Sequence, residues 1–374
     1  MKVLVVMGTR PEVIKLAPVI TALRPLVDTV VCSSGQHREM LEHAMSFFSL
    51  KPDLRYDAMV PGQSLNALTA RLIAQFDAAF EVEQPDWVLV QGDTTTALCA
   101  GLAAFHRGIK VGHVEAGLRT GDLASPFPEE ANRSLLGRIA TRHFAPTARA
   151  RASLLSEGVR DAAIVVTGNT VVDAINAVRQ SWSETPPSMP AELVALKDGA
   201  PQILVTCHRR ENHGEVLLAI CRMLRRLCAR YPEYQWVFPV HLNPKVRKPV
   251  LEELSGIANL ILLDPVDYPT SLYLISRSVL VVSDSGGIQE EAPTFGVPTV
   301  VMRDVTERME GIDAGYATLA GRSDINIERE VIRWLEEPAR REALAARSNP
   351  YGDGRAAERI VASLTGEPME AFLG

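Results

Sequence analysis

Ionisable and glycine-rich segments recur along the 374-residue chain, and each follows a short apolar run. The main ones are GTRPEVIK (8–15), GDTTT (92–96), HVEAGLRTGD (113–122), HRREN (208–212) and SDSGGIQEE (283–291). Carboxylates and imidazoles transfer protons, and guanidinium groups bind anions. Polar groups at the ends of successive strands favour a ligand site. A solvated rim of charged loops is the alternative.

Residues 285–287 read SGG, between an apolar run and a helix that we expect to begin near Ile288. Glycines there let backbone N–H groups approach a ligand, and the start of a helix favours a phosphate. An ordinary glycine turn is the alternative. Three cationic side chains could complete a pyrophosphate site without a metal ion: Arg10, Lys15 and Arg308.

A pair of carboxylates, Glu129 and Glu130, follows Pro128 in SPFPEEANR. We expect Pro128 to start a helix, whose dipole favours acidic side chains in its first turn. Successive residues on a helix point about 100° apart, so only one of the two can easily face a ligand. The pair therefore has a structural explanation and a chemical one.

Strands and helices alternate in two series. The predicted strands are 3–8, 29–34, 87–93, 110–117, 143–147 and 163–169, then 202–208, 236–242, 260–266, 279–286 and 298–302. The pattern from Pro11 to Arg24 is helical, and Pro18 should kink it. Continuous apolar strands separated by helices imply parallel sheets covered on both faces. We therefore predict an α/β protein with two doubly wound domains and a ligand cleft between them.

The segment 181–201 is rich in proline and small polar residues and predicts a linker with a short helix. We place the N-terminal domain at 1–170, a linker region at 171–200 and the C-terminal domain at 201–360. The tail, 361–374, is expected to pack back on the N-terminal domain.

Composition excludes several classes of function. Hydrophobic residues make up 47% and charged residues 22% of the chain, as in soluble globular proteins. A net charge of −6 argues against a general nucleic-acid binder, and no run approaches the ~18 apolar residues of a membrane span. The five cysteines form no CxxC pair, which fits a reduced, cytoplasmic protein. Because GxGxxG, GxxxxGK[ST] and metal-ligand spacings are absent, we expect no cofactor and no metal.

An ordered set of motifs over almost the whole chain carries a family resemblance. It comprises GTRPEVIK, QGDTTTALCAGLAAFHRGIKVGHVEAGLRTGD, SPFPEEANR, HFAPT, TGNTVVDA, CHRREN, HLNPKVR and SDSGGIQEE. SGG alone is a weak signal, but the ordered set is highly specific. The chain resembles the non-hydrolysing UDP-N-acetylglucosamine 2-epimerases. This resemblance implies a glycosyltransferase-B-like fold, with two Rossmann-like domains facing a central cleft, and a homodimer.

The resemblance also implies a reaction, the interconversion of UDP-GlcNAc and UDP-ManNAc. The family removes the C2 proton of the sugar as UDP leaves C1, which gives a bound 2-acetamidoglucal. UDP then adds back while a proton reaches the opposite face of C2. Two acid–base groups must therefore flank the ring. Supply of ManNAc units for surface polysaccharides is the expected role, although relatives also act on modified UDP-HexNAc sugars.

Matching positions give the expected site. The resemblance assigns catalysis to Asp93, Glu115, Glu129, Arg133 and His208, with Arg133 holding Glu129 at i+4 and Glu130 left a structural role. It assigns UDP binding to Arg10, Lys15, Ser285, Gly286, Gly287, Glu291 and Arg308, with Glu291 at the ribose hydroxyls. Two alternatives stay open: Asp93 could cap the helix at Thr94, and Glu115 could pair with Arg119. His113 is expected to be packed rather than reactive.

Some members bind a second UDP-GlcNAc as an activator. The matching residues are Gln36, His37, Arg209 and His241, whereas Gly62 stands where some Gram-positive members have an arginine. Activation is therefore a hypothesis here. Three rival functions remain: a glycosyltransferase, a hydrolysing epimerase and a catalytically silent UDP-sugar-binding regulator.

Overall fold

The computed structural model describes residues 1–35, 38–60, 62–183, 187, 190–194, 199–345 and 347–373. The chain divides into two compact units. Unit 1 comprises Met1–Ala177 and Tyr351–Gly374, and unit 2 comprises Val178–Pro350. The domain limits expected from the sequence stay a prediction.

Unit 1 is built on a parallel sheet of the order β3-β2-β1-β4-β5-β6-β7. Its strands are β1 (Lys2–Met7), β2 (Asp28–Ser33), β3 (Leu54–Arg55), β4 (Trp87–Gln91), β5 (Lys110–Val114), β6 (Arg142–Ala145) and β7 (Ile164–Val166). Its connecting helices are α1 (Arg10–Leu23), α2 (Arg38–Phe47), α3 (Leu65–Glu83), α4 (Thr95–His106), α5 (Glu129–Ile139) and α6 (Ala148–Ser156). Helix α7 (Thr170–Ser181) begins in unit 1 and ends in unit 2.

Unit 2 repeats the arrangement with a parallel sheet of the order β10-β9-β8-β11-β12-β13. Its strands are β8 (Gln202–Thr206), β9 (Gln235–Pro239), β10 (Leu260–Leu263), β11 (Ser278–Ser283), β12 (Thr299–Val301) and β13 (Ala317–Leu319). Its helices are α8 (Ala191–Val194), α9 (Glu215–Arg230), α10 (Pro244–Leu254), α11 (Tyr268–Arg277), α12 (Gly286–Glu291), α13 (Met309–Asp313), α14 (Asp324–Glu336) and α15 (Pro338–Ala345). The chain then returns to unit 1 and ends with α16 (Ala356–Thr365).

The predicted α/β class is confirmed, with one doubly wound Rossmann-like sheet in each unit. Every predicted strand is present, and most are apolar runs whose interiors are buried from both faces. The sequence missed β3 and β13, which have two and three residues and lie at sheet edges. Helix α1 continues through Pro18, and the capping box of Thr9 and Glu12 holds its start.

The strand order places a switch point in each sheet. In unit 1 the order reverses between β1 and β4, and in unit 2 between β8 and β11. Loops that leave two such neighbouring strands diverge to opposite faces and open a crevice at their carboxyl ends. The segments 8–15 and 92–96 leave the first pair of strands, and 208–212 and 284–287 leave the second. The fold therefore gathers the chemically dense segments at two sheet edges.

Helix α16 completes the core of unit 1. Its Ile360 and Leu364 join the buried cluster that contains Leu16 and Ile20 of α1. None of the helices among the described residues is both long and apolar enough to cross a membrane.

The start of α16 is capped by a buried carboxylate. Asp173 of α7 accepts hydrogen bonds from the backbone N–H groups of Ala356 (3.2 Å) and Ala357 (2.8 Å). Burial raises the pKa of Asp173 from 3.8 to about 6, although both donors act to lower it. Between these two values the native state holds more protons than the unfolded chain, so this group makes stability fall as pH rises.

We therefore predict that Asp173→Asn removes a pH-dependent part of the free energy of unfolding. In urea unfolding, the free energy of unfolding of wild type less that of the variant should fall by up to about 3 kcal/mol from pH 3 to pH 7. Above pH 7 the difference should stay constant. Asp161→Asn is the control, because Asp161 is exposed in its pair with Arg151 and the change should alter stability by less than about 1 kcal/mol. A flat difference for both variants would contradict the prediction.

Candidate active site

Glu115 directly follows β5 and is one of the few non-glycine residues with a positive φ, at 63°. Its side chain is only 8% exposed. Oε1 accepts from the Lys15 ammonium and from Nδ2 of Asn169 (3.1 Å), and Oε2 accepts from Nε2 of Gln91. Four elements of unit 1 therefore meet at one carboxylate, and donors engage both of its oxygens.

Asp93 stands in the turn after β4, next to Gly92, whose φ is 68°. Its carboxylate forms an ion pair with Arg133 of α5, and its backbone carbonyl accepts from Nδ2 of Asn132 at 2.8 Å. The buried Arg133 also lies 3.2 Å from Glu130. The predicted pairing of Arg133 with Glu129 is wrong, because among the described residues the guanidinium faces these two other carboxylates.

The two structural alternatives from the sequence are also wrong. Thr94, not Asp93, caps α4, with its Oγ1 accepting from the Ala97 N–H at 3.0 Å. Arg119 donates from Nε and Nη2 to Glu157 at 2.7 and 2.9 Å rather than pairing with Glu115. Asp93 and Glu115 are therefore placed by tertiary contacts at the edge of the sheet.

The adjacent glutamates of α5 differ in environment. Pro128 is the N-cap, so both lie in the first turn as predicted. Glu130 is 1% exposed, and its Oε1 accepts from the backbone N–H groups of Thr120 (3.0 Å) and Gly121 (3.1 Å). This confirms the structural role predicted for Glu130. Glu129 is partly exposed, and its side chain makes no hydrogen bond or ion pair with a described residue.

A carboxylate that the sequence analysis missed ties the loops after β1 and β4 together. Glu12 is fully buried and accepts from the N–H groups of Gly8 (2.9 Å) and Thr9 (2.7 Å) and from the hydroxyl of Thr94 (2.7 Å). Burial raises its pKa, and these donors oppose that rise. The T-x-x-E spacing of a capping box was the signal that could have identified it.

His113 is packed, as predicted. It is fully buried on β5 with Nε2 2.7 Å from the carbonyl oxygen of Gly92. Burial lowers its pKa to about 3, so the ring is neutral and fixes the turn that precedes Asp93. Its neighbour on β6, His143, has its pKa lowered to about 4, again by burial.

In unit 2, Asp284 organises the loop after β8. This fully buried carboxylate accepts from the N–H groups of His208 (3.0 Å) and Arg209 (2.9 Å), from Nδ2 of Asn212 (3.0 Å) and from Nδ1 of His208 (3.1 Å). Burial acts to raise its pKa, but His208 and the other donors outweigh that effect and lower it to about 2. The sequence analysis gave no role to Asp284, which lies inside its own SDSGG motif.

The glycine-rich segment follows β11, and α12 begins at Gly286, two residues before the predicted start. A Cβ at Gly286 would lie 2.9 Å from Cζ of Arg308, so glycine lets the guanidinium approach the backbone. Arg308 donates from Nε to Glu290 at 2.8 Å and forms an ion pair with Glu307. The expected pyrophosphate cation is thus already oriented by two carboxylates.

The other expected residues are distributed over both units. Ser285 is the N-cap of α12, Gly287 follows Gly286, and Glu291 is buried at the end of that helix. Arg10 is the first residue of α1 and is partly exposed.

Of the residues expected at a second UDP-GlcNAc site, two can be placed. Arg209 donates from Nε to the carbonyl oxygen of Asp284 at 2.9 Å. The His241 and His208 rings are stacked, with their centroids 6.3 Å apart. Burial lowers the pKa of His241, and the neighbouring His208 lowers it further. Gln36 and His37 lie outside the described residues.

Across the described ranges, histidine, cysteine and carboxylate side chains form no group of three or more that could hold a metal ion. The carboxyl ends of β4 and β5 in unit 1 instead carry Asp93 and Glu115, and Glu129 lies on α5 one turn before Arg133, the partner of Asp93. Carboxylates are suited to proton transfer and to stabilising positive charge. The edge of the unit 2 sheet gathers His208, Arg308 and the N–H groups of a glycine turn, which are suited to an anion.

Comparison with known proteins gives consistent matches. The family model described as UDP-N-acetylglucosamine 2-epimerase matches residues 21–365. Proteins named UDP-N-acetylglucosamine 2-epimerase from Yersinia pestis and Escherichia coli K12 are 47% and 46% identical, each over 97% of this chain and 98% of the relative. The crystal structure of the Neisseria meningitidis UDP-GlcNAc 2-epimerase bound to UDP-GlcNAc is 45% identical, with a TM-score of 0.93 over 98% of this chain and 100% of that one.

Proposed function

Because the chain belongs to the UDP-N-acetylglucosamine 2-epimerase family and is an epimerase, we propose that it interconverts UDP-GlcNAc and UDP-ManNAc without hydrolysis. The observation that supports this proposal is that Asp93 and Glu115, at the ends of the adjacent strands β4 and β5, are paired with Arg133 and Lys15, while Glu129 lies one turn before Arg133 on α5. This arrangement occurs in a chain 45% identical to a structure bound to UDP-GlcNAc.

The proposed reaction is an elimination followed by an addition. The C1–O bond breaks, UDP leaves with the electron pair, and a base takes the C2 proton, so a C1–C2 double bond forms in a bound 2-acetamidoglucal. UDP oxygen then attacks C1 while an acid delivers a proton to the other face of C2. The C2–H bond becomes acidic only as C1 gains positive charge, so leaving-group stabilisation and proton removal must act together.

The hydrogen-bond pattern supports different roles for the three carboxylates. A proton carrier needs an available lone pair, and no described residue occupies those of Glu129. Among the described residues, Arg133 engages Asp93 through Oδ2 and no donor occupies Oδ1. Donors engage both oxygens of Glu115. We assign proton transfer to Glu129 and Asp93, and to Glu115 a fixed negative charge that stabilises C1 in the transition state.

Unit 2 would act on the diphosphate. His208 is oriented through Nδ1 by Asp284, so Nε2 is the nitrogen that can donate to the departing phosphate oxygen. The expected anion-binding groups are the cations Arg10, Lys15 and Arg308 and the turn formed by Ser285, Gly286 and Gly287. Glu291 is assigned to the ribose hydroxyls.

The proposed function predicts a specific isotope result. In D2O, with UDP-GlcNAc as the only sugar, proton NMR should show a new UDP-ManNAc signal and loss of the C2 proton signal from both epimers. Starting from UDP-ManNAc, the same mixture should form. Unchanged UDP-GlcNAc would favour a glycosyltransferase or a silent binding protein, and free UDP accumulating in the phosphorus spectrum would favour a hydrolysing epimerase.

The same proposal covers the cellular context. We assign the chain to the cytoplasm as a homodimer that supplies ManNAc units for surface polysaccharides. Arg209 and His241 are assigned, together with Gln36 and His37, to a second UDP-GlcNAc site that would activate the reaction.

A further inference from the structure

Asn169, which lies between β7 and α7, takes part in four hydrogen bonds, one of them from the backbone N–H of Val172 to its carbonyl oxygen (3.1 Å). It is 3% exposed, and its Oδ1 accepts from the backbone N–H of Val171 (3.0 Å) in the first turn of α7. Its own backbone N–H donates to the carbonyl oxygen of Tyr351 (2.7 Å). Its Nδ2 donates to Oε1 of Glu115 (3.1 Å). The two ends of the amide therefore serve different parts of unit 1.

The backbone around Asn169 is closely packed against a second chain segment. A Cβ on Gly168, which has a φ of 84°, would lie 3.3 Å from Cα of Gly352, and a Cβ on Gly352 would lie 3.3 Å from the nitrogen of Asn169. The two chain segments thus pass so close to each other that glycine is favoured at both positions. This contact, together with the Tyr351 hydrogen bond, fixes where Nδ2 points.

Glu115 needs such a fixed donor because its backbone is in a conformation that favours glycine. Its other neutral donor, Gln91, engages Oε2, and among the described residues the Lys15 ammonium is the charged group that pairs with it. Of the two donors on Oε1, Lys15 has a long, flexible side chain, whereas Asn169 is short and anchored at both ends.

We propose that Asn169 is a positioning residue for catalysis: it sets the direction of the Glu115 carboxylate and ties it to Tyr351, the first residue of the chain after its return from unit 2. This inference rests on the proposed epimerase function. The competing explanation is a purely structural Asn169 that caps α7 through Oδ1.

Asn169→Asp separates these two roles. The variant keeps the shape and the Oδ1 acceptor for Val171, so a purely structural role is preserved. At the Nδ2 position it places an oxygen about 3.1 Å from Oε1 of Glu115, the distance of the present hydrogen bond. Two carboxylates so close share one proton, and loss of that proton on raising the pH drives them apart.

The test compares kcat between pH 6 and pH 9 for the full-length wild type and the variants Asn169→Asp and Asn169→Ala. We expect the ratio of Asn169→Asp kcat to wild-type kcat to fall about tenfold or more as pH rises, with KM for UDP-GlcNAc within about threefold of wild type. The kcat of Asn169→Ala should be lower than that of wild type by a similar factor at every pH. A pH-independent ratio near 1 for Asn169→Asp would overturn the proposal.

Asn259→Asp is the matched control, since Asn259 of unit 2 donates from Nδ2 to the carbonyl oxygens of Cys228, Tyr231 and Tyr234 at 3.1–3.2 Å. It should lower the thermal midpoint but give a flat kcat ratio across pH. A slope equal to that of Asn169→Asp would show a general effect of a buried carboxylate and overturn the proposal. If wild type itself gives no epimer in D2O, the proposed function fails, and this outcome is distinct from a failure of Asn169 alone.

Discussion

Replacing Glu129 with glutamine should lower kcat for epimerisation by about 10²–10⁴-fold, the usual contribution of a positioned general acid or base. Glutamine keeps the size of the side chain and can still form hydrogen bonds, but it cannot take up or deliver the C2 proton. The side chain is partly exposed at the first turn of α5 and no described residue holds it, so the fold should tolerate the change. Proton NMR in D2O measures the loss directly as the rate at which deuterium enters C2.

Measuring UDP binding by the same variant shows whether the substitution affects the proton transfer or the binding of the nucleotide. The dissociation constant of UDP, measured by calorimetry, should stay within about twofold of wild type, because the groups assigned to the diphosphate are unchanged. Glu358→Gln is the matched control, since Glu358 is an exposed glutamate of α16 that pairs with Arg355. Wild-type exchange rates in Glu129→Gln would remove Glu129 from the chemistry.

The sheets could be predicted from the sequence because each long strand is buried on both faces. Such strands appear as continuous β-branched runs, as in β1 and β11, and parallel pairing follows from the helices between them. The location of the site at strand ends follows from the same logic, since strand order fixes where neighbouring loops diverge. Edge strands such as β3 pair on one side only and are too short to leave a pattern.

Side-chain partners were not predictable in the same way. On a helix the i,i+4 spacing predicts that Arg133 contacts Glu129, but the guanidinium pairs with Asp93, which is 40 residues away and on a different element. A buried guanidinium needs carboxylates that are themselves buried or fixed, and tertiary packing decides which those are. The donors around Glu115 come from α1, β4 and the start of α7, and no local spacing encodes that meeting point.

The function could be predicted from the sequence where residue types, their order and their spacing together form a motif. The carboxylates Asp93, Glu115 and Glu129 stand in motifs that the family resemblance identifies, and the structure places the first two at adjacent strand ends. Asn169 and Asp284 escaped notice because each acts through another residue. Their importance follows from three or more hydrogen bonds at fully buried positions, which only the folded chain displays.

Replacing Asp284 with asparagine should be the most damaging single change in unit 2. The carboxylate accepts from two backbone N–H groups, an amide and an imidazole, whereas asparagine has one acceptor oxygen and would turn an NH2 group toward at least one of these donors. Buried unpaired donors cost about 1–3 kcal/mol each, so we expect a loss of about 2–5 kcal/mol in the free energy of unfolding. His208 would lose its orienting partner, and kcat should fall by about 10–100-fold.

The pH dependence of stability checks that the ionised carboxylate of Asp284 is responsible. Because its pKa is lowered to about 2, the native state holds fewer protons than the unfolded chain below pH 4, and the stabilisation present above that pH is lost on acidification. In urea unfolding, the stability of wild type less that of Asp284→Asn should be constant from pH 7 to pH 5 and should shrink by about 1 kcal/mol per pH unit below pH 4. Asp304→Asn is the control, since Asp304 is exposed in its pair with Arg322 and should change stability by less than about 1 kcal/mol. Equal stability of Asp284→Asn and wild type at pH 7 would contradict the assignment of Asp284 as the organising group of this loop.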